Sequence, residues 1–220
     1  MKRIHFKTAA LVSIFFWALT NLQAEEKTNY AEKVNTMIGT KGNGLTSGYL
    51  YPGASYPFGM VQFTRTYFSP GTGFGINQLS GAGCSNEGNF PTLPINGELT
   101  VSPDSILNLN IDISGEKGIA GYYQAKVQKT IQAEFTVTER TGMAQYTYAP
   151  DTKKGTVIIG GGLAGTPIHV ATTVITGPNT CEGFSDGGDF CGIPAPYKIY
   201  FVAEFKGKVL SSGTWKDSRL

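Results

Sequence analysis

Ile131-Gln132-Ala133-Glu134-Phe135-Thr136-Val137-Thr138 is the stretch that decides the fold of this 220-residue chain. Its apolar residues, Ile131, Ala133, Phe135 and Val137, alternate strictly with Gln132, Glu134, Thr136 and Thr138. Successive side chains of a strand point to opposite faces, so a period of two marks a strand with one face on a core and one toward water. Similar signals lie on both sides of it. They cover residues 60–64, 106–113, 144–148, 156–159, 169–176 and 197–205. Gly, Pro, Asn and Asp separate them, as at Gly115-Glu116-Lys117-Gly118, Ala149-Pro150-Asp151 and Gly177-Pro178-Asn179. Only residues 30–37 carry any helical character. Twenty-nine glycines, 13 phenylalanines and 11 tyrosines fit the same picture of short strands and frequent turns. The pattern predicts an all-β, antiparallel β-sandwich.

The first 24 residues stand apart. Lys2, Arg3 and Lys7 precede an apolar run over 8–19, and Leu22-Gln23-Ala24 supplies a small-residue cleavage site. This is the pattern of a signal peptide, with a run too short to span a bilayer comfortably, and it predicts a secreted or periplasmic protein with no membrane contact after its removal. No cysteine lies near the cut, so a lipid anchor is not expected. Of the 18 basic residues, these three go with the signal, which leaves 15 against 16 acidic ones. A near-neutral chain with scattered charge excludes the electrostatic footprint of a nucleic-acid binder. Residues 25–220 are long enough for one domain with its own core.

In an oxidising compartment Cys181 and Cys191 could close a short disulfide loop, leaving Cys84 free. A zinc site is disfavoured by the cysteine spacing and by a single histidine, His169, after the signal. His169 lies in a β-branched run, where a strand histidine is a better reading than a catalytic base.

Three glycine-rich stretches bear on function. Gly160-Gly161-Gly162-Leu163-Ala164-Gly165 satisfies the spacing of a dinucleotide fingerprint, with Glu182 twenty residues after Gly162. That fingerprint requires a helix after the glycines, to receive the pyrophosphate on its N-terminal amides. Here residues 166–176 are mostly Thr, Val and Ile, which oppose a helix and favour a strand, so a turn between strands is expected. The second stretch runs from Gly75 to Pro94 and mixes Gly81, Gly83 and Gly88 with Asn77, Gln78, Ser80, Asn86, Glu87 and Asn89. Glycine permits close approach of backbone to a ligand, and amide side chains both donate to and accept from sugar hydroxyls. An ordinary surface loop accounts for the composition equally well. The third, residues 38–60, adds Tyr49, Tyr51, Tyr56 and Phe58, which either stack on sugar rings or anchor the loop. Phe58 is expected in the core; the tyrosines are left open.

Val34-Asn35-Thr36-Met37-Ile38-Gly39-Thr40, then Tyr51-Pro52-Gly53-Ala54-Ser55-Tyr56-Pro57-Phe58-Gly59-Met60-Val61-Gln62, resemble the opening of glycoside hydrolase family 92. Gly75 to Pro94 is similar to the family's next signature, and Gly121-Tyr122-Tyr123, Phe190-Cys191-Gly192 and Tyr200-Phe201 follow in the same order. The resemblance implies a calcium-dependent exo-α-mannosidase acting with inversion on mannose-containing glycans, as in N-glycan degradation, with α-1,2 linkages expected. It also implies an N-terminal super-sandwich packed on a C-terminal (α/α)6 barrel that holds the catalytic carboxylates and the calcium ligands. On that reading the chain is the front domain alone, cut short at its C-terminal end. It has no catalytic residue, binds no metal itself, and is inactive by itself. Asn77, Gln78, Ser80, Asn86 and Glu87 are its expected sugar contacts. Two departures stand out: Gly75-Ile76-Asn77-Gln78 replaces a His-rich run, and Asn89 stands where an aspartate is usual. Both bear on linkage preference. The alternative reading is a non-catalytic β-sandwich that binds carbohydrate or a protein partner.

Overall fold

The computed structural model describes residues 28–40, 50–65, 73–76, 89–103, 111–160, 168–188 and 192–216. The chain divides into two compact units, Met1–Lys33 and Val34–Leu220. In the first, Tyr30–Lys33 form a single 3-10 turn. Asn29 starts it by accepting the Ala31 N–H on Oδ1 (3.2 Å) and donating from Nδ2 to Glu32 Oε1 (2.8 Å). In the second unit Asn35 Oδ1 takes the Met37 N–H (3.0 Å). Such side-chain bonds offer the backbone an alternative to a helix, which explains why the helix expected over 30–37 does not run through.

Twelve strands are described, in three antiparallel sheets. β1 (Ala54–Ser55), β2 (Gln62–Arg65), β3 (Phe74–Gly75), β4 (Thr92–Asn96) and β9 (Gly155–Ile159) make the first, in the order β1-β2-β3-β4-β9. The second is a meander of β5 (Ile113–Ile119), β6 (Tyr122–Val127), β7 (Ile131–Val137) and β8 (Gly142–Thr147). The third is a meander of β10 (Ile168–Gly177), β11 (Thr180–Gly187) and β12 (Tyr197–Glu204).

The stretch that decides the fold is β7, and its alternation is realised in full. Ile131, Ala133 and Phe135 are buried, together with their cross-strand partners Val127, Ala125 and Tyr123 on β6. Against this face pack Ala54, Phe63, Phe74, Leu93, Ile95 and Ile158 from the first sheet. Two sheets meeting across one apolar layer make a sandwich. Phe135 lies at its centre, with ring centroids 4.6 Å from Phe63, 4.5 Å from Phe74 and 5.7 Å from Tyr123. Gly142 lets the layers close up, since a Cβ there would come within 2.7 Å of the Phe63 ring. Pro94 has no N–H to give, yet it sits within β4. It is tolerated because the recorded pairing of β3 with β4 is confined to Phe74 and Thr92.

One expected separator is corrected, and one strand is added. Gly115-Glu116-Lys117-Gly118 does not separate strands but lies inside β5, where the register shifts between Ser114 and Lys117 and Gly115 takes φ +61°. This is a β-bulge built from turn residues. β11, over which no strand signal was read, holds the same residue types in Gly183, Ser185, Asp186 and Gly187. Gly183 is required there: a Cβ would lie 1.9 Å from the Thr172 carbonyl oxygen and 2.8 Å from the Phe201 ring. The strand over 168–177 stands where a dinucleotide fold needs a helix, in keeping with the turn reading of Gly160–Gly165. Residues 161–167 themselves lie outside the described residues, as do most of 106–113.

Candidate functional site

The five expected contacts, Asn77, Gln78, Ser80, Asn86 and Glu87, lie outside the described residues. The stem that carries them is described. Ile76 ends the ascending side and Asn89 begins the descending one, and the Ile76 N–H donates to the Asn89 carbonyl (3.3 Å). The Gln62 N–H donates to the Ile76 carbonyl (2.9 Å), which ties the stem to β2. Ile76 and Asn89 are therefore fixed together at one end of the first sheet.

Asn89 is wholly buried. Its Nδ2 donates to Tyr197 Oη (3.0 Å), and its Oδ1 is within reach of the same hydroxyl (3.3 Å). An amide can both give and take here, whereas an ionised carboxylate only accepts. The departure at Asn89 is thus a structural strut between the stem and β12, not a surface contact for sugar. The next residue continues the tie: Phe90, at φ +47°, packs on Phe201 with centroids 4.4 Å apart. Sequence reasoning missed both partners, because Tyr197 and Phe201 lie more than a hundred residues away and no local pattern links them.

Other segments leave from this same end. The Gly160 N–H donates to the Pro91 carbonyl (2.9 Å), which holds the end of β9 beside the start of β4. Gly188, at φ +149°, passes so close to Ala195 and Pro196 that a Cβ would lie 2.5 Å from the Ala195 oxygen. The β1–β2 hairpin turn, Tyr56 to Met60, also lies here, since Ser55 pairs with Gln62. Its Phe58 was expected in the core, but it is fully exposed, at φ +59°. The type of turn explains the difference. The Gly59 N–H bonds the Tyr56 carbonyl (2.9 Å), with Pro57 in the second place and Phe58 in the third, where a left-handed residue points its side chain outward. Tyr56 is exposed as well, while Tyr51 is half-buried. Tyr49 lies outside the described residues.

The opposite end of the sheet holds two polar clusters. Glu116 accepts from Tyr123 Oη (2.6 Å) and from Arg65 Nη1 (3.4 Å), so its carboxylate is committed to the fold. A depression of about 690 Å³ is lined by Asn96, Glu98, Thr130, Asp151, Thr152 and Lys154. Asn96 there bonds Thr130 (2.9 Å) and Thr152 (3.4 Å), and Lys154 pairs with Glu98. These groups largely satisfy one another. On the outer face of the second sheet Tyr122 Oη donates to Glu134 Oε1 (2.5 Å), and this bond, with partial burial, pushes the phenol up to about 12.

Among the described residues no three His, Cys, Asp or Glu side chains come together as a metal site. Cys181 is buried, which raises its thiol pKa; Cys191 and Cys84 lie outside the described residues, and so does the expected Cys181–Cys191 pairing. His169 is exposed on β10. No described helix is long and apolar enough to cross a membrane.

Comparison with known proteins adds the remaining facts. The glycosyl hydrolase family 92 N-terminal domain matches residues 33–220. Among solved structures, the family GH92 α-mannosidase BT3965 from Bacteroides thetaiotaomicron is similar with a TM-score of 0.68 and 23% identity over 87% of this chain. Its complex with mannoimidazole gives 0.68 and 22% over 87%. The family GH92 inverting mannosidase BT2199 from the same organism gives 0.64 and 21% over 85%. At these identities the likeness is one of fold. The chain spans only 30%, 29% and 26% of those three chains. No match is found among the curated proteins.

Proposed function

This chain belongs to the N-terminal domain family of glycosyl hydrolase family 92, and from that membership we propose that it is the substrate-facing front domain of a secreted or periplasmic α-mannosidase. The observation that carries the reading is the family match over residues 33–220. Residues 1–24 act as the export signal. The loop over 77–88 contributes hydrogen-bonding groups to a mannose-containing glycan, through Asn77, Gln78, Ser80, Asn86 and Glu87. The bond is broken by groups outside this chain, in a C-terminal (α/α)6 domain that also holds calcium.

Hydrolysis with inversion needs one carboxylic acid on the leaving oxygen and one carboxylate on a water across the sugar ring, several ångströms away. Glu116 is engaged with Arg65 and Tyr123 and is suited to neither role. The solved relative named as an inverting mannosidase supports the stereochemical part of the proposal. The α-1,2 preference rests on the family resemblance, and the replacement of the His-rich run by Gly75-Ile76-Asn77-Gln78 makes it the part most open to change.

The test is hydrolysis of α-1,2-, α-1,3- and α-1,6-linked mannobiose by the full-length polypeptide, with the first-formed anomer followed by NMR. β-Mannose released first, and only with calcium, is the expected result. Retention of the α-anomer, or saturable glycan binding without cleavage, contradicts the proposal, and the latter outcome favours a binding module.

A further inference from the structure

The Tyr56–Met60 turn displays the most exposed large apolar side chain described in the molecule. Phe58 shows 105% of its reference surface, and its neighbours Tyr56 and Met60 show 53% and 71%. The backbone beneath it is unfavourable. The third position of this Pro-containing turn asks for glycine, yet a bulky aromatic residue holds φ +59° there. The turn is also clamped. The Met60 N–H donates to the Glu139 carbonyl (2.8 Å), and a Cβ on Gly59 would meet Glu139 backbone atoms at 3.2–3.3 Å. A strained backbone held rigidly to project an apolar ring outward points to a use for that ring.

The occupant follows from two facts. Tyr56, Phe58 and Met60 offer an apolar ridge, whereas sugar sites pair a ring with convergent hydrogen-bonding groups. The solved relatives, moreover, carry chain well beyond what matches here, which covers only 26–30% of their length. We infer that Phe58 is the docking anchor of this domain, seated in an apolar pocket of the polypeptide that follows it in the same protein. This rests on the reading of the chain as the front of a longer mannosidase. A preorganised aromatic anchor at the edge of the sugar-facing end fixes the two parts where their relative position matters most.

Phe58→Gly in the full-length polypeptide is the test, because glycine suits the turn and removes only the ring. Limited proteolysis between the two parts is the readout, with mannoside KM measured in parallel. The variant is expected to be cut at least tenfold faster than wild type, with separated melting transitions. Unchanged cutting and melting overturn the inference. So does a rise in KM alone, which makes Phe58 a sugar contact, and so does a reading frame that stops after Leu220. Wild type without mannosidase activity counts against the functional reading, while the proteolysis result still decides the docking.

Discussion

Phe135 touches Phe63, Phe74, Tyr123 and Tyr146 at once, and no other ring in the core has as many aromatic neighbours described. Truncating such a ring removes its transfer energy and leaves a cavity that the two clamped sheets cannot close. Phe135→Ala is expected to cost about 3–5 kcal/mol in a urea titration. Asn89 is a different kind of residue, polar and wholly buried beside Tyr197. Asn89→Leu leaves the Tyr197 hydroxyl without that partner and is expected to cost about 1–3 kcal/mol, with a compensating recovery in the Asn89→Leu, Tyr197→Phe double variant. Tyr122 gives the pH dependence. Its neutral phenol is favoured first by the hydrogen bond to Glu134 and then by burial, which raises it from 10.0 to about 12. A raised pKa contributes stability that is fully present below pH 10 and is lost as pH rises toward 12. Tyr148, raised by burial, adds in the same direction. Denaturant midpoints should therefore fall between these pH values, and less so in Tyr122→Phe. The tyrosinate absorbance should show a late-ionising fraction that disappears on unfolding.

At the scale of elements, β7, β8, β9, β10 and β12 were legible because β-branched and aromatic residues are dense there, at a strict period of two in β7. β5 and β11 were not, because glycine in a strand looks like a turn until its cross-strand neighbour is known. Gly183 faces the Thr172 carbonyl and the Phe201 ring, and that contact exists only once β10 and β12 flank β11. Gly183→Ala is expected to destabilise by about 1–3 kcal/mol or more through overpacking. Gly213→Ala, with nothing within 4 Å of the added carbon, should stay within about 0.5 kcal/mol by thermal melting. The candidate site was legible in a different degree. The motif order named the family, while Asn77, Gln78, Ser80, Asn86 and Glu87 lie outside the described residues. What local sequence could not show was the strut from Asn89 to Tyr197, which is long-range, or the outward turn of Phe58, because a Pro-Phe-Gly run fits equally a buried hairpin.

For the whole molecule, the third sheet is informative. Its inner face packs through Phe201 on Phe90, while its outer face shows Val170, Val174, Tyr200 and Val202 to solvent, with Lys198 over the Phe184 ring at 4.2 Å. The same face carries Glu182 opposite Val202 and the Lys198–Asp186 ion pair, so its apolar residues alternate with charge. The chain spans 26–30% of the solved relatives. On the proposed function, this chain helps hold the sugar and does not break the bond. The most direct measurement is mannose release from α-mannobiose by the purified 220-residue chain, with and without calcium, beside the full-length polypeptide. Release by the full-length polypeptide only is the expected result; calcium-dependent mannose release by the 220-residue chain itself would contradict the proposed function.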